Sequence, residues 1–303
     1  MSVQALQKSA DEVNLFNEHV TIIQSLHTIM TSKIDWAAIA SKRAPEMPVI
    51  RFANKSKALA ELHSHHQSGW LSNFTNKNRQ LESLIRDIES STNKDIEHYQ
   101  NQLRTWENDY SHWLKNTKLS KNVLNNDNES KLEALRLLLD EVNVHKIRGV
   151  SLITPNGCEY KNGYSLEVNV KIDKDNVVPQ KQKSLFQGEL KHESLSIEKR
   201  NEIYKEYVYS SALKVALDVF AILPDNHVKV NVQESSTSNL DQTIFAAHFE
   251  RMLLNSLDLE HDSASTLVSN FIHFEHFDEK REDGFKPIST PLEPSADFLT
   301  FLF

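Results

Sequence analysis

The chain has 303 residues, 39% hydrophobic and 25% charged, with a net charge of −8. It contains one cysteine, Cys158, which excludes an internal disulfide framework and a cysteine-built zinc cage. Six glycines are too few and too scattered for a phosphate-cradling loop, so nucleotide-binding folds of the P-loop or dinucleotide type are excluded.

The charge is uneven. Residues 1–148 carry 19 basic against 18 acidic side chains, and residues 149–303 carry 15 against 24. An acidic second half repels phosphate backbones, so nucleic-acid binding is disfavoured there and falls to the first half. No run of 18 apolar residues marks a membrane span, and "MSVQALQKSADEV" lacks the basic-then-apolar pattern of a secretory leader. A cytoplasmic protein is expected, away from membranes.

Residues 11–33 place Val13, Phe16, Val20, Ile23, His27 and Met30 at alternating steps of three and four, which predicts an amphipathic helix. Pro45 and Pro48 then impose a bent connector. A second helix is predicted over residues 54–70. It carries "LHSHHQSGW", in which His63 and His66 stand at i, i+3, close enough to share a metal if a third ligand came from a facing helix. His66 also lies on the apolar stripe, where a hydrogen-bonded imidazole serves structurally.

The strongest periodicity follows: Leu81, Ile85, Ile88, Thr92, Ile96, Tyr99, Leu103, Trp106, Tyr110, Trp113 and Thr117. One step apart, it alternates as a heptad does and predicts a single helix over residues 76–119, too exposed alone to bury its stripe. Leu132, Leu135, Leu139 and Val142 repeat the pattern after an Asn-rich turn, predicting a coiled-coil-like helical hairpin. Tyr99, Trp106, Tyr110 and Trp113 could stack bases, although packing between helices accounts for the spacing fully. Lys115, Lys118 and Lys121 are the basic residues such a nucleic-acid clamp would use.

Near Gly149 the period changes from about 3.5 to 2. Asn156-Gly157 and Asn162-Gly163 read as tight turns, and Leu166, Val168, Val170 and Ile172 alternate with polar residues as a strand with one wet face. Residues 173–194 read as a polar loop with one short strand. Ser196 reads as the N-cap of a helix reaching Leu223, where Pro224 stops it. "HVKVNVQ" and "TIFAAHF" read as neighbouring strands, followed by helices over residues 251–257 and 263–274.

The expected fold is therefore α+β, with a helical domain over residues 1–148 and an α+β domain over residues 149–303, its mostly antiparallel sheet packed against one long helix. The only pattern that suggests catalysis is Asp173 or Asp175 followed by Glu189-x-Lys191. Paired carboxylates and a lysine in that order suit an Mg²⁺-dependent, restriction-type nuclease. A solvated loop of mixed charge explains the same residues. His273 and His276 form a second i, i+3 histidine pair. The chain ends on "ADFLTFLF", whose Phe298, Phe301, Leu302 and Phe303 suit docking to a protein partner.

Two stretches, "SLHTIMTSKIDWAAIA" and "SSALKVALDVFAILPDNHVKVNV", together resemble a group of uncharacterised bacterial proteins with a helical first half and an α/β second half. The resemblance implies that fold and brings no activity and no site residue. Some such proteins lie in defence or stress gene clusters. The expected role is a non-enzymatic interaction, scaffold or recognition subunit acting through self-association or a protein partner.

Overall fold

The computed structural model describes the backbone of residues 3–67, 77–142, 146–147, 150–161, 165–234 and 242–288. The fold is α+β. The described residues form two compact units, residues 36–121 and residues 1–35 with 122–303. The first helix of the chain thus belongs with the sheet.

In the sheet unit, α1 spans Val3–Gln24 and is followed by a 3₁₀ turn, Leu26–Thr28, so the helix expected to reach residue 33 stops earlier. Its stop is set by contacts with a later helix: the His27 amide and ring both meet the Ser210 hydroxyl, and the Ile34 amide donates to the Ala221 carbonyl. A helix α5 covers Asn128–Val142, with Ala134, Leu135 and Leu139 buried. A short strand pair, β1 (Lys146–Ile147) and β2 (Val150–Ser151), flanks Gly149, so strand structure begins just before that glycine.

Strands β3 (Thr154–Lys161) and β4 (Ser165–Ile172) pair antiparallel. Asn156-Gly157 is not a turn: it lies within β3, where the register shifts between Pro155 and Gly157 as a bulge, and neither residue has a positive φ. The other Asn-Gly pair, at 162–163, lies outside the described residues. Residues 173–194 hold more structure than expected: α6 (Lys174–Val177), then the antiparallel hairpin β5 (Lys181–Phe186) and β6 (Glu189–Ser194). Its turn residues Gln187 and Gly188 have φ of 51° and 84°, the paired positive values of a type I′ turn. This hairpin packs against α1.

Helix α7 runs Ile197–Ile222, with the Ser196 hydroxyl accepting from the Lys199 amide. Arg251 closes the other end, donating to the carbonyls of Phe220, Leu223 and Asp225. The helix is apolar on most sides because it is enclosed by the sheet, by α1, by α5 and by α9 (Ala264–Val268). Between them, β7 (His227–Glu234), β8 (Gln242–Glu250), β9 (Ile272–Phe277) and β10 (Phe285–Lys286) complete a six-stranded sheet in the order β10-β9-β8-β7-β4-β3. Residues 263–274, expected as one helix, split into α9 and the start of β9. Phe274 pairs with Ala246 of β8, so sheet pairing overrides the three-residue spacing of the phenylalanines.

All pairs in this sheet are antiparallel except β4 with β7, which α7 connects. Leu166, Val168, Val170 and Ile172 of β4, with Val228, Val230 and Val232 of β7, form a buried face under α7. Each such side chain contributes about 1.5–3 kcal/mol on burial.

In the other unit, α2 (Trp36–Ser41) leads through an extended strap, residues 42–52, into α3 (Ala53–Gln67). Helix α4 (Lys77–Leu124) has 48 residues and extends about 72 Å. An Asn126 with φ of 62° marks the turn between α4 and α5.

Candidate functional site

Helix α4 carries the stripe that the sequence predicts, and the structure covers it only in part: Ile88, Thr92, Tyr99, Leu103, Trp106, Tyr110 and Trp113 are half-buried. Between residues 82 and 116 the one side chain that is fully buried is Asp95. Ile85 and Ile96 of the stripe are 47% and 37% exposed, and Leu114, next to Trp113, is 52% exposed. Asp95 does the work of a helix cap for a different helix: its carboxylate accepts from the backbone amides of Asn54 and Lys55 and from the Asn54 side chain. Those amides are the orphan donors of the first turn of α3. Burial raises the Asp95 pKa, but these hydrogen bonds outweigh it, and the carboxyl titrates below its ordinary range.

Further along α4, Trp106, Tyr110 and Trp113 form a ladder. Neighbouring ring centroids stand 5.1 and 5.3 Å apart. The strap lies along it. The Trp106 indole donates to the Pro45 carbonyl at 3.0 Å, and the Trp113 indole donates to the Lys42 carbonyl at 2.7 Å. Strap and helix run antiparallel, since the lower strap number meets the higher helix number. Sequence reasoning found the ladder but not its occupant. The signal was present in the two prolines, which fix extended backbone and leave carbonyls without helical partners. Lys115, Lys118 and Lys121 are exposed on the same helix.

The histidine cluster is only partly described. His63 is exposed on α3; His66 lies on the same helix, and its side chain is outside the described residues. His273 lies beside Phe245 and His276 pairs in register with Lys286, in a strand rather than at helical spacing. Among the described residues no three His, Cys, Asp or Glu side chains gather as a metal cage. Phe298, Phe301, Leu302 and Phe303 also lie outside the described residues.

The four residues of the nuclease pattern occupy two different places. Asp173 caps α6, accepting from the Asn176 amide and side chain, and Asp175 lies in α6, just past the end of β4. Glu189 and Lys191 are on β6 in the separate hairpin, with the Lys191 ammonium 3.8 Å from the centre of the Phe186 ring. Among the described residues no hydrogen bond or ion pair joins the two sets.

Two polar groupings in the sheet unit escaped the sequence reading. At the carboxyl ends of β4 and β7, Lys174 donates to the Asp283 and Glu282 carbonyls and lies over the Tyr204 ring, while the Tyr204 hydroxyl donates to Glu234 at 2.8 Å. Burial pushes the Lys174 pKa down and those of Glu234 and Tyr204 up. Arg200 and Asn201 bind carbonyls of the same 279–283 turn, so the grouping ties that turn to α7. Gly284 closes the turn with φ of 73°; a Cβ there would stand 2.9 Å from the Asn201 side-chain oxygen Oδ1.

The second grouping is on the sheet face opposite α7, which alternation predicts to be wet. Glu167, Lys229 and Asn231 are nevertheless buried there. Glu167 meets Lys229 at 3.2 Å and Lys161 at 2.8 Å, and accepts from Asn231. Burial works against the Glu167 carboxylate, yet Lys161, Asn231 and Lys229 together hold its pKa below the ordinary value. Beside it, burial and the Lys229 charge lower the pKa of His248.

No protein-family model, curated protein or solved structure matches this chain.

Proposed function

We propose that the protein is a non-enzymatic interaction or scaffold subunit, and that the α4 face of residues 36–121 is its docking surface for another protein. The observation that supports this reading is the incompletely covered helix: across the 35 residues 82–116 Asp95 alone is buried, most of the stripe is half-buried, and Ile85 and Ile96 of the stripe are exposed. A heptad-patterned helix of this length gains its stability from a covered apolar face, and exposed Ile85, Ile96 and Leu114 are what a partner would cover. The polar groupings in the sheet unit are consistent with a rigid support, since their charged groups are engaged in tying strands and turns together.

The test replaces Ile85, Ile96 and Leu114 together with glutamine. Glutamine keeps helix propensity, so the melting temperature should change little. Wild type, purified from its source cells, should carry a partner identifiable by mass spectrometry, or run above monomer mass by light scattering; the triple variant should lose either property. A wild-type monomer with no stoichiometric partner would overturn the reading.

A further inference from the structure

We propose that the Trp106–Tyr110–Trp113 ladder is a receptor for an extended, proline-bearing strand, and that residues 42–48 occupy it as a built-in ligand. The inference rests on the reading of α4 as a docking surface and names the chemistry of what docks.

The spacing carries the argument. A left-handed polyproline helix turns every three residues and advances about 9 Å per turn. Seven residues of α-helix advance about 10.5 Å. Carbonyls three apart on a proline-type strand therefore meet donors seven apart on a helix. Lys42 and Pro45 differ by three, Trp106 and Trp113 by seven, and each indole N–H reaches its carbonyl. By the same step, Pro48 comes level with Tyr99, the next aromatic residue of the stripe.

Burial along the strap is uneven, with Pro45, Pro48 and Ile50 the partly covered positions. Pro45 and Pro48 are half-buried, whereas residues 42–44, 46, 47 and 49 are exposed. In the sequence Pro45-Glu46-Met47-Pro48 the two prolines are thus the partly covered positions, and Glu46 and Met47 between them are exposed. Aromatic grooves read proline-rich strands in this manner: rings pack on the pyrrolidines, and an indole donates to a carbonyl whose own N–H partners are missing. Among the described residues, no backbone amide of residues 43–50 donates a hydrogen bond, so the two indoles are the strap's hydrogen-bond anchors to α4. An incoming strand of the same chemistry replaces those two bonds with two equivalent ones, opposed by the high effective concentration of the tethered strap.

The experiment uses the full chain and a synthetic peptide of residues 41–50. The chain has four tryptophans, so the indole N–H resonances of Trp106 and Trp113 can be assigned and followed by NMR. In a Pro45→Gly/Pro48→Gly chain both resonances should move toward the unbonded position. Titrated peptide should return them, with at least tenfold weaker binding by a peptide whose prolines are alanine. Wild type should need far more peptide for the same shift.

Should the double variant lose its helical circular dichroism, a Trp113→Phe chain removes one anchor and leaves the Trp106 resonance as the reporter. Resonances unmoved by peptide in a folded chain of either kind, or moved equally by the proline-free peptide, would overturn the proposal. Either result leaves the triple-glutamine test of α4 as a docking surface to be judged separately.

Discussion

Asp95 stands in mid-helix, yet its carboxylate satisfies the first turn of α3, forty residues earlier in the chain. Because its pKa is lowered in the folded state, the stabilisation is fully present above the unfolded carboxyl pKa and is lost as the pH falls through the folded one. Asp95→Ala should therefore lower the melting temperature at pH 7. The gap from wild type should narrow in acid, below about pH 4; thermal melts by circular dichroism over that range check it. Lys214 and Asp218 give a second residue-level expectation. They lie fully buried one helical turn apart on α7, 2.5 Å from each other, with the Thr31 hydroxyl bonded to both. Burial raises the Asp218 pKa against the pull of Lys214. Asp218→Ala strands an ammonium in the core and should cost about 3–5 kcal/mol, whereas Lys214→Met with Asp218→Leu should recover most of that loss. Urea denaturation of the three chains separates the two outcomes.

Elements whose local and tertiary signals agree were legible in the sequence. Helix α7 is the clearest, with the Ser196 cap, the apolar run and Pro224 all marking the bounds that the structure shows. The long α4 was equally readable, since its stripe continues without a glycine or proline. Elements with conflicting signals were not. Asn156-Gly157 has turn chemistry, but pairing with β4 keeps the chain in the sheet, and the dipeptide sits at a bulge without taking a positive φ. The true hairpin turn, Gln187-Gly188, was hidden because glutamine seldom takes a positive φ. Gly188→Ala should accordingly destabilise the β5–β6 hairpin by about 1 kcal/mol, and Gln187→Asn should strengthen it. Amide exchange at Phe186 and Glu189, the hydrogen-bonded pair next to the turn, should be faster in the first variant and slower in the second.

At the scale of the molecule, the helical first half and the sheet-bearing second half could be read from the change of period near Gly149. The grouping of α1 with the sheet could not. It depends on His27 finding Ser210 and Thr31 finding Asp218, contacts spanning more than 180 residues that no local pattern encodes. The candidate surface was half legible: the aromatic ladder is periodic, but the strap that lies on it is recognisable only once Pro45 and Trp106 are seen together. The order in which the sheet assembles is also a property of the whole. Hairpins β3–β4 and β7–β8 are local, whereas β4 joins β7 only after α7 has crossed between them. Loop closure makes such a pairing late. Folding kinetics should show this. Phe245→Ala, at the β7–β8 pair, should slow folding, while Val170→Ala, at the β4–β7 contact, should mainly speed unfolding.

The parallel pair has a consequence on the ribosome. Glu167 and Lys229, opposite each other in the finished sheet, are 62 positions apart in the chain. At about 5–20 residues per second, β4 leaves the exit tunnel several seconds before its neighbour is made. For that interval the nascent polypeptide presents a valine-rich strand edge with nothing to pair it, which makes this stretch a natural target for chaperones that shield unfinished sheets.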